Sequence, residues 1–195
     1  MKSVFAVLSL ALLLAGCAST MQADVTQFSG AAPLPPGRNF VVSAEPAQSG
    51  SLEFQHYAGL VGGALQDHGF HAAPPGANAD LVVLIHYASE GNHTELWGDP
   101  WGWGPGWRHH YPYGPDERSK TYYAEMLEVQ IFDGTAWRNN VRTMLYQGRA
   151  VGDTTVNEIS AAVPALVQAL FTHFPGNSGQ TERVVVPMPS VAGAT

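Results

Sequence analysis

Cysteine is almost absent from the chain: Cys17 is the single one in 195 residues, so no disulfide framework and no thiolate metal cluster can be built. Charge is also scarce. Only 13% of residues are Asp, Glu, Lys or Arg against 45% hydrophobic, which excludes a wholly disordered, charge-solvated chain. Nine basic residues face sixteen acidic ones for a net charge of -7, and no Lys/Arg cluster occurs, which excludes nucleic acid as a partner. Familiar catalytic templates are missing as well. There is no Gly-x-Ser-x-Gly elbow, no P-loop and no dinucleotide-binding glycine pattern opening a helix after a strand. The chain therefore reads as non-enzymatic and in need of no cofactor. Glycine and proline, by contrast, are plentiful at 21 and 14 residues, and the length suits one globular domain with loop-rich extensions.

The amino terminus reads as an address. Met1-Lys2-Ser3 carries one positive charge, and the apolar run from Val4 to Leu14 is broken only by Ser9. At ~1.5 Å per helical residue it covers about half of a ~30 Å hydrocarbon core, too little for an ordinary spanning helix and right for a signal peptide. Leu14-Ala15-Gly16-Cys17 then resembles the lipobox of bacterial lipoproteins. That resemblance implies removal of residues 1–16, a diacylglycerol on the Cys17 sulfur and an acylated Cys17 amine. Several acyl chains anchor a protein almost permanently, because each buried CH₂ contributes ~0.8 kcal/mol. Ala18, where an Asp would retain the protein at the inner membrane, implies the outer membrane, with the domain facing the periplasm.

Residues 17–38 are expected to be the lipidated Cys and a linker, although Val25 and Phe28 hint at a short strand. Residues 39–175 form the expected domain. A strand at 39–44 is followed by Phe54, Tyr57, Val61, Leu65 and His68 at three- and four-residue intervals between Ser51 and Gly69, the pattern of a capped amphipathic helix. Residues 70–73 leave room for a short strand. The stretch 80–88 is apolar on both alternating faces, as a central strand should be, whereas 120–132 alternates. Asp133-Gly134 signals a turn, and a further strand around Met144 to Ala150 follows. A last helix at 157–174 carries Ile159, Val163, Leu166, Val167, Leu170 and Phe171 on one stripe, with Pro164 kinking it or marking its first turn. The order β-α-β-β-β-α predicts a two-layer α/β sandwich: a mostly antiparallel sheet of about four strands with two helices on one face. Residues 176–195 are expected to be a flexible tail, though Val184-Val185-Val186 could pair on an edge.

The unusual chemistry is concentrated in residues 97–115, which hold four of the five tryptophans among Gly and Pro. Trp97, Trp101, Trp103, Trp107, Tyr111 and Tyr113 are the candidate binding residues, because such rings offer a broad apolar face with one polar handle. A sugar, a lipid headgroup or an envelope protein would suit them. The same rings could instead fold back over the sheet edge, and both readings stand. His93, His109 and His110, with Glu95, Asp99 and Asp116 nearby, are weak metal candidates, since adjacent His109 and His110 point opposite ways on a strand and no His-x-x-x-His spacing occurs. Glu125 and Glu128 fall on opposite faces of their strand and cannot converge as an acid/base pair.

Several stretches together resemble a known family. They are the Cys17 lipobox, Ala79-Asp80-Leu81-Val82-Val83, Trp101-Gly102-Trp103-Gly104, the Leu127 to Asp133 strand ending Phe-Asp-Gly, Tyr146-Gln147-Gly148-Arg149-Ala150 and the closing Phe174-Pro175. The chain is similar to proteobacterial lipoproteins built on a single domain of unknown function, the four-one-three-six type. It departs from them in opening with Phe40-Val41-Val42 after a Pro-rich linker. The resemblance implies location and fold but no activity. The expected function is a membrane-anchored envelope lipoprotein acting as a binding or interaction module; the alternative is an accessory oligomeric subunit of a secretion or polysaccharide-export assembly.

Overall fold

The structure, a computed structural model, describes residues 19–31, 34–97 and 118–188. In chain order the elements are β1 (Thr20–Ser29), β2 (Asn39–Val42), α1 (Leu52–Asp67), β3 (His71–Ala72), β4 (Leu81–Trp97), β5 (Arg118–Asp133), α2 (Gly134–Arg138), β6 (Met144–Thr154), α3 (Ile159–Thr172) and β7 (Gln180–Pro187). One sheet of seven strands takes the order β3-β2-β4-β5-β6-β1-β7. β2 is parallel to both β3 and β4, and the remaining pairs are antiparallel.

The expected sheet of about four strands, mostly antiparallel and with two helices, is thereby corrected to a seven-stranded mixed sheet with three helices among the described residues. Two of the extra strands arise in the segments read as linker and tail. β1 turns Met21, Ala23, Val25 and Gln27 inward, all nearly inaccessible, while its outward positions are Gln22, Asp24, Thr26 and Phe28. Small and polar residues at those inward positions dilute the period-two signal. β7 buries Val184 and Val186 and turns Val185 outward. The parallel pairs exist because α1 carries the chain from the end of β2 back to its start before β3, and residues 73–80 carry it back again before β4, so all three run in the same direction. The third helix replaces the expected turn at Asp133-Gly134: the Asp133 carboxylate accepts the Ala136 N–H at 2.8 Å, capping a single helical turn.

The core lies between the sheet and the two long helices, α1 and α3. Leu81, Val83 and Ile85 from β4, Leu127, Val129 and Ile131 from β5, and Tyr146 and Ala150 from β6 meet Val163, Leu166 and Leu170 of α3 and Tyr57, Val61 and Leu65 of α1. Burying each large side chain stabilises by about 1.5–3 kcal/mol relative to exposure. Pro164 lies inside α3, which begins at Ile159, so it does not mark the first turn. The Tyr146 hydroxyl, buried within this core, donates to Gln27 Oε1 at 2.9 Å, and burial pushes its pKa far above the ordinary tyrosine value. Gly148 makes the room: a Cβ there would fall 2.1 Å from that hydroxyl oxygen.

Candidate functional site

β4 and β5 form one continuous ladder from Leu81–Asp133 to Trp97–Arg118. The neighbours on either side are shorter. β2 accompanies β4 only as far as Val83, and β6 accompanies β5 only up to Tyr123–Thr154. The last five pairs, from His93–Tyr122 to Trp97–Arg118, therefore extend as a two-stranded arm, ~17 Å long at ~3.3 Å per residue. A bulge sets the arm's root. The register shifts between Ser89 and Gly91, Gly91 takes a φ of 136°, and Glu90 is the extra residue, ion-paired to Arg149 of β6.

Side chains on the arm pair across the ladder. The His93 imidazole stacks on the Tyr122 ring at 5.3 Å and 16°, and Lys120 Nζ stands 5.1 Å from the centroid of the same ring. On the other face the Thr94 and Thr121 hydroxyls are 3.1 Å apart. Beneath the bulge sits Glu125, one of the two carboxylates that the sequence analysis weighed, whose burial it did not foresee. Glu125 is fully buried; its Oε2 accepts the Ser89 hydroxyl at 2.5 Å, and its Oε1 has no partner among the described residues. Its signal was legible in retrospect, because Glu125 shares parity with the inward Leu127, Val129 and Ile131. Glu128 lies on the opposite face, where it accepts from Gln130 and Gln147, in agreement with the expected divergence of the two carboxylates. Nearby, the Tyr57 hydroxyl donates to Glu53 Oε1 at 3.0 Å and its ring meets Tyr87 edge-on at 4.8 Å. Burial, reinforced by Glu53, pushes both phenols above the ordinary tyrosine pKa, so they remain neutral donors.

The first described residues, Ser19 and Thr20, lie at the same end of the sheet. Met188 donates its N–H to the Ser19 carbonyl at 2.8 Å, and Ser19, Thr20 and Met188 share a cleft of about 280 Å³ with Lys120, Tyr122 and Val156. Of the residues expected to act, His93 and Glu95 are exposed on β4, and Trp97 is the strand's last residue. Cys17, Trp101, Trp103, Trp107, His109, His110, Tyr111 and Tyr113, with Asp99 and Asp116, lie outside the described residues. Among the described residues no group of three or more His, Cys, Asp or Glu side chains is placed to hold a metal ion, and no helix is long and apolar enough to cross a membrane.

A mixed sheet with its two long helices packed on one core and a long hairpin arm defines the class of the protein as a single α/β domain. The model of the family called Domain of unknown function (DUF4136) matches residues 24–176, and the chain belongs to that family. No curated protein matches it. Among solved structures, a PDZ domain protein from Parabacteroides distasonis is similar with a TM-score of 0.49 and 11% identity; the alignment covers 92% of this chain but 42% of that one. The chain thus spans less than half the length of that protein. A PelC dodecamer from Paraburkholderia phytofirmans is similar with a TM-score of 0.40 and 16% identity over 77% of this chain and 96% of that one.

Proposed function

We propose that the protein is a non-enzymatic lipoprotein of the bacterial outer membrane, anchored through Cys17 with its domain in the periplasm, and that it serves as a binding or interaction module. The observation that carries this reading is the β4–β5 arm: five ladder pairs outside the sheet core end at Trp97 and Arg118, the two attachment points of the Trp/Gly-rich insert. A ribbon that buries so little contributes little to folding, so its length has to be accounted for by contact with something else. The lipobox-like Leu14-Ala15-Gly16-Cys17 supports the anchor. Replacing Trp97, Trp101, Trp103 and Trp107 with Ala should leave the melting temperature within a few degrees while abolishing binding to envelope glycans or membranes. Unchanged binding, or a collapse of stability, would count against the reading. Cell fractionation with intact mass spectrometry tests the anchor: wild type should carry an acyl mass in the membrane pool that Cys17→Ser lacks.

A second reading, an accessory oligomeric subunit of a secretion or export assembly, is favoured by one observation. β7 is an eight-residue edge strand with Val185 60% exposed, an open ladder on which another strand could pair. Light scattering on residues 18–195 decides it: a defined oligomer supports this reading and a monomer removes it.

A further inference from the structure

The two edges of the sheet are finished differently. β3, at one edge, has two residues, whereas β7, at the other, has eight in unbroken register with β1, and among the described residues nothing pairs with its outer side. Long exposed edges are ordinarily blunted by lysines, bulges or prolines, because a row of free amides invites another strand. β7 has no lysine and no bulge; three consecutive valines lie in it, and its one proline, Pro187, is its last residue. The direction of its amides follows from one hydrogen bond. Met188 donates to the Ser19 carbonyl at 2.8 Å, and alternation along an antiparallel ladder then turns the backbone amides of Glu182, Val184 and Val186 towards β1. Thr181, Arg183 and Val185 accordingly point N–H and C=O outwards, and Pro187 points outwards a carbonyl with no N–H beside it.

We infer that β7 pairs antiparallel with β7 of a second copy of this chain, about a two-fold axis at Val184, so that two seven-stranded sheets become one. The inference rests on the oligomeric reading above and needs neither the arm nor the anchor. The case for a second copy is that the edge fits itself. Outward amides sit on odd-numbered residues alone, so the axis has to pass through a residue and not between two. At Glu182 or Arg183 it would set like charges against each other, and at Val185 or Val186 it would run Thr181 past the end of the strand. At Val184 it sets Arg183 opposite Val185 of the second copy and Thr181 opposite its Pro187. All three outward N–H groups of each strand then meet a carbonyl, and the carbonyl left over, on Thr181, is the one that faces the proline. The side chains agree with that register. On the helix side Val184 meets Val184 and Glu182 stands opposite Val186, so no charge lies opposite another charge. On the other face Val185, 60% exposed, comes beside Arg183 of the second copy, whose guanidinium is held by Asp24 at 2.8 and 3.0 Å and whose stem is left to cover the valine.

Contact between like patches closes on pairs, so the association should be a dimer. Two strand edges make an interface below the ~1,200 Å² of standard complexes, so the dimer should be weak, and since each chain carries a net charge of -7 it should tighten with added salt. The full-length chain with Cys17→Ser, which leaves no thiol, would be followed in mild detergent by sedimentation velocity from about 10 μM to about 1 mM, where a monomer–dimer equilibrium is expected. Val185→Pro removes an N–H that does not face β1, so it should leave the melting temperature within a few degrees and weaken dimerisation at least ~10-fold. Introduced cysteines read the register without a proline. Val184→Cys should cross-link to itself under mild oxidation, because Cα atoms across a non-hydrogen-bonded pair are ~4.5 Å apart, whereas Glu182→Cys, whose two copies would lie ~13 Å apart along the strands, should not. A monomer at every concentration would overturn the pairing and the oligomeric reading with it. An oligomer that Val185→Pro leaves intact, that Val184→Cys does not cross-link, or that has an odd number of copies would overturn this interface alone.

Discussion

The two ends of the β4–β5 hairpin are built from the same ladder and surrounded differently. At the lower end, Arg38 donates to Asp133 and to the Asp80 carbonyl, the Gly134 N–H meets the Asp80 carbonyl at 2.7 Å, and Arg138 donates to the Ala79 carbonyl at 2.8 Å. A Cβ on Gly134 would fall 2.2 Å from that Ala79 oxygen, so the backbones there are in direct contact. At the upper end the described side chains make lighter contacts: a stacked His93–Tyr122 pair with Lys120 beside it, a Thr–Thr contact, and the cleft that Lys120 and Tyr122 share with Ser19, Thr20 and Met188. The lower end is what a core requires. The upper end continues after the core has stopped, and an isolated two-stranded ribbon is marginal in water, which separates the part of the hairpin that folds the protein from the part for which a binding role is proposed.

That contrast can be broken by substitutions along the same two strands. Leu127→Ala, in the fully buried part of β5, should cost ~3 kcal/mol, read as a lower urea midpoint with an unchanged slope. At the junction, Ser89→Ala removes the one donor to buried Glu125 among the described residues and leaves both carboxylate oxygens without a partner there, for ~2 kcal/mol in the same assay. Asp133→Ala should cost ~1 kcal/mol at neutral pH through the lost helix cap. Its effect depends on pH with a definite sign. The Ala136 N–H, aided by Arg38, holds the Asp133 carboxyl below its usual 3.8, so the folded state binds the proton less readily than the unfolded one. The contribution is full above 3.8 and vanishes as the pH falls through the lower folded value, so wild type and variant should converge in acid melts. Thr121→Ala on the arm should change stability by no more than ~0.5 kcal/mol. A loss several times larger would mean that the arm is packed like the core, and the contrast would fail.

Much of the domain was legible in the sequence where one physical signal dominated. The α1 stripe, the buried run in β4 and the inward Leu127-Val129-Ile131 were recognisable because large apolar residues recur at a single period. The size of the sheet was not. β1 presents Ala23 and Gln27 at inward positions, and Gln27 is buried because Tyr146 hydrogen-bonds it from a distant strand. No local pattern reports a partner that far away in sequence. β7 offered three valines, but which ones turn inward depends on its pairing with β1. The candidate site divides in the same way: composition marked the insert, while the arm that carries it came from register, since β4 was expected to stop near Ala88 and continues to Trp97.

Pairing of the first and last strands has a mechanical consequence. β1 is gripped on both sides, by β6 from Ala23 to Ser29 and by β7 from Thr20 to Gln27. Under the proposed anchor, a pull that enters β1 at Thr20 along the strand axis would shear both ladders together rather than peel them open one bond at a time. Resistance to such loading is set by the rate of unfolding, not by the equilibrium stability of the domain. Tension from a membrane anchor would thus be borne by the strand best placed to carry it.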